Sequence, residues 1–109
     1  MFKDLFSWNP INKDNALHDW LWLLSTTKKK LYINNQKMFE LYTEYIEKND
    51  YLIRNHLNEL ALKVESLDPN KNGKAVISAF VTFHNPYFSK SWNRESYQTD
   101  FENLWTLVL

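Results

Sequence analysis

The stretch 53–67, IRNHLNELALKVESL, sets Ile53, Leu57, Leu60, Val64 and Leu67 at intervals of three and four residues. That spacing draws one apolar stripe down an α-helix, and no alternation of period two competes with it. Two similar patterns flank it. Leu17, Trp20, Leu21 and Leu24 follow the same rule, with Asn12 or Asp14 as cap and Ser25-Thr26-Thr27 as the predicted end. Tyr97, Phe101, Leu104, Trp105 and Val108 predict a last helix. Between the first two, Leu31, Met38, Tyr42 and Tyr45 share a stripe, with Phe39 and Ile46 beside it. Asn49-Asp50 reads as a break and a new cap.

The punctuation agrees. One Gly and three Pro occur in 109 residues, too few turn formers for a many-stranded β fold. Asp68-Pro69-Asn70-Lys71-Asn72-Gly73 is a turn by composition. Residues 74–83 fit a buried helix or a strand, and a lone strand would lack a partner, so a helix is expected. Asn85-Pro86 ends it, and Tyr87 to Arg94 reads as an aromatic loop. The expected architecture is one all-α domain over 1–109, an irregular bundle of about five helices.

Composition narrows function more by exclusion than by assignment. Apolar residues reach 44%, so the chain has a core to bury. No Cys removes disulfides and thiolate metal sites. The start, Met1-Phe2-Lys3-Asp4, lacks the apolar run of a signal peptide. The apolar run Trp20 to Leu24 falls far short of a membrane span. A cytoplasmic protein with no membrane partner is therefore expected. Formal charge is zero, but residues 40–68 hold seven acids against three bases.

The chemistry-bearing motifs are incomplete. Asp68-x-Asn70-x-Asn72-Gly73 matches the first half of an EF-hand loop, yet Ala79 stands where the closing Glu belongs. His18, His56 and His84 are far apart in sequence and suggest no zinc site; His18 and His56 are read on helix flanks and His84 near a helix C-terminus. No nucleophile elbow or glycine-rich phosphate loop exists. No catalytic residue, metal or cofactor is assigned, a small-molecule substrate is not expected, and the chain is read as no enzyme. Lys28-Lys29-Lys30 reads as a solvated helix start, too short for a nucleic-acid patch, so nucleic acid is an unexpected partner.

Binding is the remaining class. Glu40, Glu44, Glu47 and Asp50, with Tyr51 among the interleaved tyrosines, form an acidic row suited to steering a basic partner. Tyr87, Phe88 and Trp92 offer aromatic anchors. A small Cys-free chain with this acidic row and its wealth of Tyr and Trp resembles the bacterial immunity proteins of polymorphic toxin and contact-dependent growth inhibition systems. The resemblance implies an antitoxin that blocks a basic toxin domain, a nuclease, in a one-to-one complex. Two alternatives stand beside it: a phage-encoded inhibitor of a host defence nuclease, and a small helical nucleic-acid-binding regulator. The second requires Lys28–Lys30, Lys37, Lys71 and Lys74 to gather on one face.

Overall fold

The computed structural model describes residues 3–8 and 15–108. Among them every regular element is helical: α1 (Lys3–Ser7), α2 (Ala16–Asn34), α3 (Gln36–Glu47), α4 (Asp50–Leu67), α5 (Gly73–Ala79), α6 (Val81–His84), a 3-10 helix (Pro86–Asn93) and α7 (Tyr97–Val108). The all-α class is as the apolar spacing predicts. The count is higher than five because the predicted helix at 74–83 is split in two and because α1 and the 3-10 helix are added.

α2 is the central element. Its inward side carries Leu17, Trp20, Leu21, Leu24 and Leu31, all buried. The helix does not end at Ser25-Thr26-Thr27. Ser25 Oγ donates to the Leu21 carbonyl at 2.9 Å and Thr26 Oγ1 to that of Trp22 at 2.8 Å. Bonding back one turn keeps these hydroxyls inside the helix instead of competing with it. The break falls at Asn35, whose side chain accepts from the Met38 amide and starts α3. Leu31 and Met38 therefore lie on different helices. The candidate caps Asn12 and Asp14 lie outside the described residues, and Asn15, at the N-cap, makes no side-chain cap bond.

Asn49 accepts from the Tyr51 amide at the start of α4. Leu60 and Val64 are its most buried side chains on the predicted stripe. The turn after it uses up the EF-hand-like oxygens. Asp68 accepts from the Asn70 amide, and Asn72 caps α5 by accepting from Ala75. Gly73 is required for space, since its φ is not positive. A Cβ there would collide with the carbonyl oxygen of Ala61 on α4. Its amide donates to Glu65 Oε1 at 3.1 Å, which fixes the α4–α5 crossing.

Residues 74–83 are helical with a break at Phe80, which separates α5 from α6. The expected aromatic loop is a 3-10 helix, capped by Asn85 accepting from Tyr87. α7 is tied to α2 by His18, which donates to Glu102 at 2.8 Å and stacks edge-on against Trp105. Partial burial disfavours the charged imidazole, but hydrogen bonds to Asp19 and Glu102 outweigh that and raise its pKa. α1 is held by Trp20 Nε1 donating to the Leu5 carbonyl at 2.7 Å, and by Lys63 reaching the carbonyls of Phe6 and Trp8.

Gly73→Ala is expected to destabilise the fold by about 1–3 kcal/mol, since backbone must shift to admit one methyl. Urea unfolding of the two proteins measures this, and an unchanged midpoint would show that α4 and α5 are free to separate.

Candidate functional site

The lysine run is not a solvated helix start. It lies within α2, and its three members have three environments. Lys30 is exposed. The Lys29 ammonium sits 4.2 Å above the Tyr97 ring. Lys28 is 2% exposed, on the same stripe as Leu21, Leu24 and Leu31. The lysines proposed for a nucleic-acid face are thus divided between core and surface.

Lys28 forms part of the wall of a cavity of about 100 Å³ between α2, α3, α4 and the α6–3-10 junction. Tyr42, Ile46, Ile53, Leu57 and Pro86 supply apolar surface, and His56 and His84 join Lys28 in the wall. Lys28 Nζ lies 3.2 Å from His56 Nε2, within hydrogen-bond distance, and an ammonium there donates to the unprotonated ring nitrogen. His84 is buried and its Nε2 donates to the Ile77 carbonyl in the last turn of α5 at 2.9 Å. Glu47 and Tyr87 line the exposed mouth.

The electrostatics are those of cations removed from water. Burial pulls the Lys28 amine down to about 7. Burial also lowers His56 to about 3, helped by the charges of Lys28 and His84. It lowers His84 to about 4, with Lys28 adding repulsion and the bond to Ile77 opposing. No carboxylate among the described residues pairs with Lys28; the ion pairs there join His18 to Asp19 and Glu102, and Arg94 to Asp100. Among the same residues no three His, Asp or Glu side chains converge as a metal site.

The residues selected from sequence are dispersed. Glu40, Glu44 and Glu47 are exposed on α3, and Tyr51 is exposed on α4. Asp50 opens α4, and its side chain lies outside the described residues. Tyr87 is 84% exposed, Phe88 is half-buried against it, and Trp92 is fully buried. Trp92 donates from Nε1 to the Thr82 carbonyl at 2.7 Å and packs edge-on against Tyr32 and Phe39, so it presents no ring to a partner. Among the described side chains of the set, only Glu47 and Tyr87 reach the cavity. Sequence reasoning passed over Lys28, His56 and His84. The signal was present for two of them: Lys28 falls four residues after Leu24, on the continuation of that stripe once the helix runs past Thr27, and His56 three after Ile53, beside the stripe of α4.

Residues 64–105 match the model of a family described as "Tetracyclin repressor-like, C-terminal domain". The match takes in the end of α4 and most of α7, with α5, α6 and the 3-10 helix between, less than half of the chain. It contains His84 and Tyr87 but not Lys28 or His56. No curated protein matches the chain. The match overturns the resemblance to immunity proteins and with it the toxin partner, the antitoxin role and the growth-inhibition context. It also overturns the exclusion of nucleic acid and small molecules as partners. The acidic row and aromatic surplus that suggested an inhibitor are features of composition, which unrelated helical domains share. Among the described residues no helix is long and apolar enough to cross a membrane.

Lys28 gives the folded state a pH dependence. Below about pH 7 the amine is charged in the folded and unfolded chains alike. Between 7 and 10.5 only the unfolded chain holds the proton, so stability contributed at this position rises with pH by up to ~1.4 kcal/mol per unit. Tyr97, raised to about 12 chiefly by burial, acts in the opposite sense above pH 10. Between pH 7 and 10, Lys28→Met is therefore expected to flatten the rise in unfolding free energy. An identical slope in both proteins would place Lys28 in water.

Proposed function

We propose that this chain is the ligand-sensing part of a transcription regulator of the Tetracyclin repressor-like kind. The observation that carries the reading is the match of 64–105 to a C-terminal domain of that kind, over helices that close one side of a cavity with a buried polar wall. Domains of this kind bind a small molecule and pair with a second subunit, while an N-terminal domain holds the DNA. Under this reading the partners are a small effector, a second copy of the chain and, through a DNA-binding domain, a promoter. The regulator works in the cytoplasm and catalyses no reaction.

The cavity supports the reading physically. Effector sites are concave and mostly apolar, with a few placed polar groups that fix orientation. Strongly perturbed ionisable side chains in a cleft make it a candidate functional site. α2, α3, α4 and α6 all contribute wall residues, so occupancy would press on four helices at once. That is the kind of coupling by which an effector shifts a regulator between two states.

The test is chromatin immunoprecipitation of the tagged protein expressed from its own gene. Enrichment at a small set of promoters is expected, and uniform background across the genome would overturn the regulator reading.

A further inference from the structure

We propose that the cavity beneath α3 is a receptor for a short-chain monocarboxylic acid, with Lys28 Nζ holding the carboxylate beside His56 and His84, and Ile46, Ile53 and Leu57 covering the tail. The inference rests on the effector-binding half of the regulator reading and adds the chemistry of the effector.

The first support is a missing counter-charge. Lys28 is almost completely buried, its hydrogen bond among the described residues is to the His56 imidazole, and no carboxylate of the described residues lies within ion-pair distance. An ammonium group has three donors, so this arrangement leaves capacity for an oxygen acceptor. A buried amine without a counter-ion weakens a fold, and an apolar side chain of like volume would serve packing better. A ligand carboxylate supplies what the protein lacks: a charge of the right sign and two acceptor oxygens.

The second support is the sorting of charge along the cavity. Among the described residues the titratable groups that line the cavity with Lys28 are Tyr42 and Glu47 from α3, His56 from α4, His84 from α6 and Tyr87 from the 3-10 helix. The buried ones are neutral or basic, and the acid, Glu47, is at the exposed mouth. The interior is therefore complementary to an anion and hostile to a cation. The third support is size. An apolar cavity of about 150 Å³ admits benzene, so about 100 Å³ takes a head group and a tail of a few carbons. A nucleotide or a polycyclic drug does not fit it.

Binding carries a proton signature. The empty site holds a largely neutral amine above pH 7, and the carboxylate complex holds an ammonium, so association takes up about one proton from water. Affinity then weakens about tenfold for each pH unit above 7.

Calorimetric titration of the full chain with butyrate, butyramide and 1-butanol tests this, at pH 6.5 and between 7.5 and 9.5. Butyrate is expected to bind at least tenfold tighter than the two neutral probes at pH 6.5, to lose affinity tenfold per unit above pH 7.5, and to show buffer-dependent heats of proton uptake. Lys28→Met, which removes a charge and keeps volume, is expected to abolish the preference for butyrate. Equal affinity for all three probes, or undiminished butyrate binding by Lys28→Met, overturns the carboxylate assignment and leaves the regulator reading standing. No binding of any probe also overturns it. Promoter enrichment, measured separately, decides the regulator reading in each case.

Discussion

The inward stripe of α2 is the constraint that the other helices satisfy. Leu17, Trp20, Leu21, Leu24 and Leu31 would each forfeit roughly 1.5–3 kcal/mol if left in water. No single neighbour covers a stripe of that length. The chain therefore wraps it with short pieces: α1 over Trp20, α4 and α6 along the middle, α3 and the 3-10 helix toward Leu31. The Trp20 indole also needs an acceptor, and the Leu5 carbonyl supplies it. α7 joins through His18–Glu102 and through Trp22 packed on Phe101 at 4.9 Å between centroids.

Lys28 interrupts that stripe. Where the apolar periodicity calls for a hydrophobe, the chain places an amine, and the surrounding helices do not fill the space around it. A cavity results with His56 and His84 in its wall. The three basic groups reinforce each other's neutrality: burial disfavours every cation, and any proton on one repels protons from the other two. The cluster is a local loss of stability within an otherwise apolar core. For packing alone, an apolar side chain of like volume would serve better at this position.

Much of the architecture was legible because it is local. Caps, turn chemistry and helical spacing act over a few residues, and they gave α4, α7, the turn at 68–73 and the helical state of 74–83. The errors arose where a local signal had two outcomes. Ser25-Thr26-Thr27 is a helix terminator only if the hydroxyls seek amides outside the helix; here they bond back to Leu21 and Trp22. Asn35 caps α3, but Met38 and Tyr42 continue the spacing from Leu31, so the local pattern alone reads as one helix. The candidate site was illegible for a different reason. Lys28, His56 and His84 are separated by 28 residues each, and no short motif records that three helices bring them together. What the sequence did hold was Lys28's place on an apolar stripe. Its membership of a Lys-Lys-Lys run disguised that place as a surface feature.

The acidic residues of α3, the most conspicuous feature of the composition, act in a different medium from Lys28. Glu40, Glu44 and Glu47 are in water, where two unit charges at 4 Å interact by about 1 kcal/mol and salt reduces even that. At the effective dielectric near 20 that suits protein interiors, the same separation gives about 4 kcal/mol. An anion at the mouth of the cavity thus meets weak, screened repulsion from Glu47. One that reaches Lys28 and holds it as an ammonium meets attraction several times larger, offset in part by the hydration both charges give up. A surplus of acid on the surface and a preference for acid inside are compatible, because burial, more than the number of charges, sets the strength of each interaction.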